Sequence, residues 1–160
     1  MTSMTMPTLK PVVQRATDRV SGWLTRYSIP VLRISLGLVI LGFGALKFIP
    51  GASPAEDLVM RTVDRLTFGI VSGQTAVLVT AVTEVLIGAI LISGKFLRLV
   101  LLVVAGWLIG IMSPLVLFFT DMFPAGGPTL EAQYVLKDIV LGAAALVVAA
   151  RAMGARLVRE

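Results

Sequence analysis

The chain has 160 residues, 57% of them hydrophobic and only 14% charged, where a soluble domain carries about 25% charged residues, so its composition belongs to the membrane class. It has no cysteine and no histidine, which excludes disulfides, thiol redox chemistry by the chain itself, zinc sites of the usual ligand sets, histidine-ligated haem and a histidine general base. The net charge of +5 does not point to nucleic acid, because the bases flank apolar runs, where they set orientation and meet anionic lipid.

Residues 1–29 form a basic, mixed-polarity segment with no apolar core at signal-peptide distance and no cleavage site. Val12, Val13, Ala16, Val20, Trp23, Leu24 and Tyr27 recur at helical spacing. With Pro11 at its start, this pattern predicts a short amphipathic helix on the inner leaflet, with Trp23 and Tyr27 at headgroup level. For residues 1–10 the alternative is a disordered basic tail.

Residues 30–150 are expected to form a four-span membrane domain, all-α, and residues 151–160 a basic cytoplasmic tail. The first span, 30–48, matches a hydrocarbon core of about 30 Å at ~1.5 Å per residue. Arg33, Gly37, Gly44 and Lys47 share one of its faces, and small residues let another helix approach closely. In the connector that follows, Ser53-Pro54-Ala55-Glu56 has the form of a capping box. It predicts a short amphipathic helix within Ser53–Phe68. That helix either lies over the outer end of the bundle as a lid or is an ordinary interfacial connector.

The second span, 74–92, is apolar with one carboxylate, Glu84, near its middle; Thr80, Glu84 and Gly88 stack four apart. The third span, 96–119, carries a GxxxG pair, Gly106 and Gly110, with Ser113 on the same face, and Pro114 predicts a kink. A Pro/Gly-rich loop covers 120–133. The fourth span, 134–150, places Tyr134, Asp138 and Gly142 on a narrow face, with Lys137 beside it.

An even number of spans puts both termini on one side. That side holds Lys10, Arg15, Arg19, Arg26, Arg33, Lys95, Arg98, Arg151, Arg156 and Arg159, most of the 14 bases. The positive-inside rule therefore predicts a multi-pass protein of a bacterial inner membrane with both termini cytoplasmic. Lys47 and Lys137 fall on the minority side, close to the bundle, and need another role.

Turning each small or polar face inward brings candidate groups together. Glu84 lies ten residues in from Gln74, roughly 15 Å and near the midplane. Asp138 lies four residues in from Tyr134, roughly 6 Å below the outer surface. The lysine stem of Lys47 reaches about one helical turn. Lys47, Glu84, Ser113, Tyr134, Lys137 and Asp138 thus converge in the outer half. Gly37, Gly44, Gly88, Gly106, Gly110 and Gly142 are the expected packing positions. Two readings stand: Lys47 pairs with Glu84 or Asp138 to fix helix register, or the cluster lines a pocket that holds a polar headgroup.

Three segments carry a family resemblance: LRISLGLVILGFGALKF in the first span, TEVLIGAILISG in the second and YVLKDIVLGAAAL in the fourth. In order and spacing they resemble the DoxX-like membrane proteins, closest to the YkgB-like inner-membrane branch. The matching positions are Arg33, Gly44, Lys47, Glu84, Gly88, Lys137 and Asp138. The resemblance implies a four-helix bundle and a link to quinone-dependent sulfur oxidation, to membrane oxidoreductase assemblies or to resistance against reactive chlorine species. A quinone or a partner subunit would then carry the electrons. The leading expectation is a small amphipathic ligand, such as a quinone, in an outer-half pocket of a redox or oxidative-stress protein. The alternatives are a non-catalytic subunit or assembly factor of a membrane complex, and a small homo-oligomeric transporter or channel.

Overall fold

A computed structural model of the chain describes residues 9–155, and side chains from Val13 onward; residues 1–8 and 156–160, with the outermost parts of the expected tails, lie outside the described residues. All regular elements among the described residues are helical: α1 (Leu9–Leu46), α2 (Glu56–Leu66), α3 (Gly73–Ser93), α4 (Leu97–Met112), the single turns α5 (Pro114–Leu117) and α6 (Phe119–Met122), and α7 (Leu130–Ala152). Three stretches are long and apolar enough to cross a membrane: 13–46, 73–93 and 97–117. Large apolar side chains are exposed along all three, with Leu102 73% and Ile109 74% exposed on α4. Lipid solvates such a surface and water does not, so the chain is a membrane protein.

α1 corrects the expected boundary between residues 29 and 30. It runs unbroken for 38 residues with Pro30 inside it, about 57 Å at the helical rise. A proline removes one backbone hydrogen bond and bends a helix. It did not end this one, because helical periodicity continues on both sides. The amphipathic segment is therefore the collinear lower half of α1 and not a separate element. Val13, Val20, Trp23 and Leu24 on that half are exposed.

α1 and α3 are packed most intimately, and glycine is the reason. A Cβ on Gly37 would lie 2.9 Å from the Gly88 carbonyl oxygen, one on Gly44 2.7 Å from Glu84 Cβ, and one on Gly88 2.6 Å from Gly37 O. The pairing of 37 with 88 and of 44 with 84 makes the helices antiparallel. Gly106 and Gly110 differ: a Cβ at either meets nothing within 4 Å, and one at Gly142 meets only Leu108 at 3.9 Å. The GxxxG pair thus packs on no other part of the described chain. It is the spacing common by chance in apolar helices, and no neighbouring helix presents a ridge to it.

α4 and α7 pair with each other, and each touches the first pair. Leu36, Ile40, Ile87, Leu91, Val100, Val104 and Ala145 form the core between them. A second cluster of Leu58, Met122, Ala132 and Val135 ties α2, α6 and α7 together at the other end.

Local chemistry fixes the ends. Gly94 closes α3 in the left-handed region at φ 73°, which costs glycine least. Arg33 completes that end: its guanidinium donates to the carbonyls of Leu91 and Ile92, groups a helix C-terminus leaves without partners. The predicted kink at Pro114 takes the form of a one-residue interruption at Ser113, after which α5 begins. α7 starts four residues before Tyr134, because the Thr129 hydroxyl accepts from Ala132 N–H at 3.2 Å and caps it.

Candidate functional site

The site is built where α1 and α3 meet. Because Gly44 lets the α3 backbone approach, Lys47, one turn further on, comes against Glu84. Its Nζ donates to Glu84 Oε2 at 2.6 Å and to the Phe43 carbonyl at 3.4 Å. Both residues are buried, Lys47 5% and Glu84 3% exposed. The second carboxylate oxygen, Oε1, accepts from the indole N–H of Trp107 on α4 at 3.3 Å. Buried charges persist only when paired and hydrogen-bonded, and here three helices supply the partners. Among the described residues no buried side-chain nitrogen or oxygen lacks a partner.

A cavity of about 200 Å³ opens beside this pair. Lys47, Glu84, Trp107, Tyr134, Lys137 and Asp138 supply its polar wall. Leu58, Val59, Val63 and Leu66 of α2 supply an apolar roof, with Thr62 among them. α2 therefore covers the site as a lid would. It is held by Leu58, buried in the second cluster, and by Arg61, which bonds Asp121 at 3.1 Å and lies 4.5 Å over the Phe118 ring. The expected capping box is not what starts it. Ala55 occupies the cap position with no side-chain bond, and Glu56 turns its carboxylate onto the Gly51 N–H at 2.8 Å. That second bond satisfies an upstream turn, which competed successfully for the same side chain.

α7 contributes differently from α1 and α3. Lys137 is not ion-paired. Its Nζ sits 4.2 Å from the Phe43 ring centroid and 4.0 Å from that of Tyr134, a cation–π arrangement. Asp138 is half-buried and shares the electrostatic environment of Lys137, Glu84 and Lys47, and no hydrogen-bond donor contacts it. Of the candidate residues, Lys47, Glu84, Tyr134, Lys137 and Asp138 line the cavity. Ser113 does not; its hydroxyl donates to Gly110 O at 2.7 Å, back onto the end of α4.

Sequence reasoning missed Trp107 and Phe43. Neither is polar enough to draw notice in an apolar span, yet Trp107 carries the one side-chain N–H on α4 that can reach a buried acid. A tryptophan near the middle of a span, rather than in an interfacial belt, was the available signal. The described residues contain no cluster of carboxylates, cysteines and histidines suited to a metal. Searches of protein-family models, of curated proteins and of solved structures find no match to the chain.

Proposed function

We propose that this is a four-span protein of the bacterial inner membrane, DoxX-like in architecture, with α7 as its fourth span and both termini cytoplasmic. We further propose that its outer cavity binds a small amphipathic molecule of the quinone class within a redox or oxidative-stress system. One observation carries the reading: a cavity that joins a wall of hydrogen-bonding groups to an apolar roof, beside the middle of an apolar helix long enough to span a membrane. Ligand sites have this composition, apolar with a few placed polar groups.

The residues fit such a head group. Lys47 has three N–H donors and directs two at Glu84 and Phe43, leaving one for a carbonyl oxygen. Tyr134 adds a hydroxyl. Asp138, free of donors in the lining, can accept from a hydroxyl of the reduced ligand. Glu84 holds Lys47 in position, and Trp107 holds Glu84. A bound quinone would supply the electron-carrying chemistry that side chains without cysteine or histidine lack. The chain's own part is to bind the head group, exclude water and offer a proton site at Asp138.

The test is a titration of purified protein with a short-chain quinone, together with extraction of any quinone that co-purifies. Y134F and D138N should each weaken binding by roughly threefold to tenfold, as loss of one hydrogen bond predicts. No co-purified quinone, together with affinities that these substitutions leave unchanged, would refute the proposal. A second reading, a non-catalytic subunit of a membrane complex, draws on the exposed lower half of α1. There Val13, Val20 and Trp23 are exposed. Co-purification of a partner that is lost on deleting residues 1–29 would favour it.

A further inference from the structure

Midway along α1, around Thr25–Arg33, lies a second cavity, about 420 Å³. It is framed by α1, the start of α4 and the end of α7. Three arginines line it, Arg26, Arg33 and Arg151, and no acid does. Ile29, Leu97 and Val148 make up much of the remainder. Arg33 is 14 residues from Lys47 along one helix, roughly 21 Å at the helical rise, so this cavity is separate from the outer site.

Helix-end chemistry engages Arg33 and, in the last turn of α7, Arg151, but not Arg26. Arg33 spends one nitrogen on the Leu91 and Ile92 carbonyls, which fixes the plane of its guanidinium and leaves its other N–H groups available. Arg26 stands 5.6 Å from the Tyr27 ring, and Arg151 bonds the nearby Ala155 carbonyl at 3.1 Å. Neither has a carboxylate partner among the described residues. Three like charges around one space repel each other, and an anion between them would relieve that repulsion. Guanidinium forks match the oxygens of a phosphate. The apolar part of the lining lies beside these charges, as fatty chains lie beside a headgroup. Basic pockets between membrane helices hold anionic headgroups in this manner.

We propose that the cavity bounded by Arg26, Arg33 and Arg151 binds a phosphate-type anion: the phosphodiester of an anionic phospholipid, or a free phosphate. The proposal rests on membrane embedding and not on the ligand of the outer cavity, so the two can fail separately.

Native mass spectrometry of the detergent-solubilised full chain tests it, after exposure to phosphatidylglycerol, to phosphatidylcholine or to inorganic phosphate. Phosphatidylglycerol should be retained in preference to phosphatidylcholine. R26Q/R151Q should reduce that retention by about 25-fold, since each basic side chain near an anionic surface contributes roughly fivefold. R15Q/R19Q, the same charge change on the projecting half of α1, should leave it intact. If inorganic phosphate binds with the same dependence and displaces the lipid, the cavity is a free-phosphate site and the shared chemistry stands. Equal retention of both lipids with no phosphate binding, or equal loss in the two double variants, overturns the proposal. Arg33 is left unsubstituted because its capping of α3 would confuse the result.

Discussion

Replacing Lys47 by methionine is expected to destabilise the helix assembly by about 3–5 kcal/mol, the cost of removing one partner from a buried ion pair. The geometry puts this pair in the severe class. Nζ and Oε2 are 2.6 Å apart, and the side chains are 5% and 4% exposed. Once Lys47 is gone, the Glu84 carboxylate keeps only the Trp107 indole at 3.3 Å. E84M should cost a similar amount, because it strands the ammonium between helices.

The double variant K47M/E84M separates charge from packing. If the single losses were independent it would cost roughly 6–10 kcal/mol, the sum of two stranded charges. With both charges removed, the remaining defect is the orphaned indole N–H, about 1–3 kcal/mol. The double variant should therefore be more stable than either single one. Unfolding of the purified protein by an ionic detergent in mixed micelles, followed by far-UV circular dichroism, measures all four species. A K47M protein within about 1 kcal/mol of wild type, or a double variant at the additive sum, would show that the pair is solvated and that this account of α1–α3 packing is wrong.

Three further outcomes follow from the same contacts. G88A should cost roughly 1–3 kcal/mol by overpacking, since its Cβ would meet Gly37 O and Leu41 Cβ at 2.6 Å; G106A, with nothing within 4 Å, should not destabilise, and the same detergent titration compares them. T129A should cost about 0.5–2 kcal/mol through loss of the α7 cap, seen as faster amide exchange at Leu130–Gln133 than in wild type. Because the chain has no cysteine, K95C and G126C can be labelled singly in cells: an impermeant maleimide should reach G126C from outside and K95C only after lysis, and the opposite pattern would invert the proposed topology.

Much of this architecture was legible because lipid imposes simple rules. Apolar runs of sufficient length and the positions of glycine marked the helices, and the face shared by Gly37, Gly44 and Lys47 meets that of Glu84 and Gly88 as the spacing indicates. What was not legible depends on which neighbour arrives. Gly44 and Gly106 look alike in sequence, yet one sits under Glu84 Cβ and the other faces open space. Glu56 satisfied the capping-box pattern and then bonded Gly51 instead. Pro30, where the first span is expected to begin, lies within α1, since one missing hydrogen bond cannot outweigh helical propensity on both sides. Arg33 looked like a topology signal; its capping of α3 requires knowing that the two helices end together.

The buried pair and the cavity answer different questions, and α7 is what separates them. Register between α1 and α3 is accounted for by the glycine contacts and by Lys47 against Glu84, with Trp107 satisfying the remaining oxygen. Nothing in that brace needs Asp138 or Lys137. A carboxyl placed half-buried without a donor, next to a lysine held only by two rings, adds desolvation cost and no ladder or cap. Lys137 joins α7 to Phe43 of α1, but helix packing would be served as well by alanine at Asp138. The presence of Asp138 on the cavity wall opposite an apolar roof is what a purely structural account leaves over. For that reason the substitution that decides between bracing and binding is D138N and not K47M. A stable protein that has lost its ligand is the result that only the binding reading predicts.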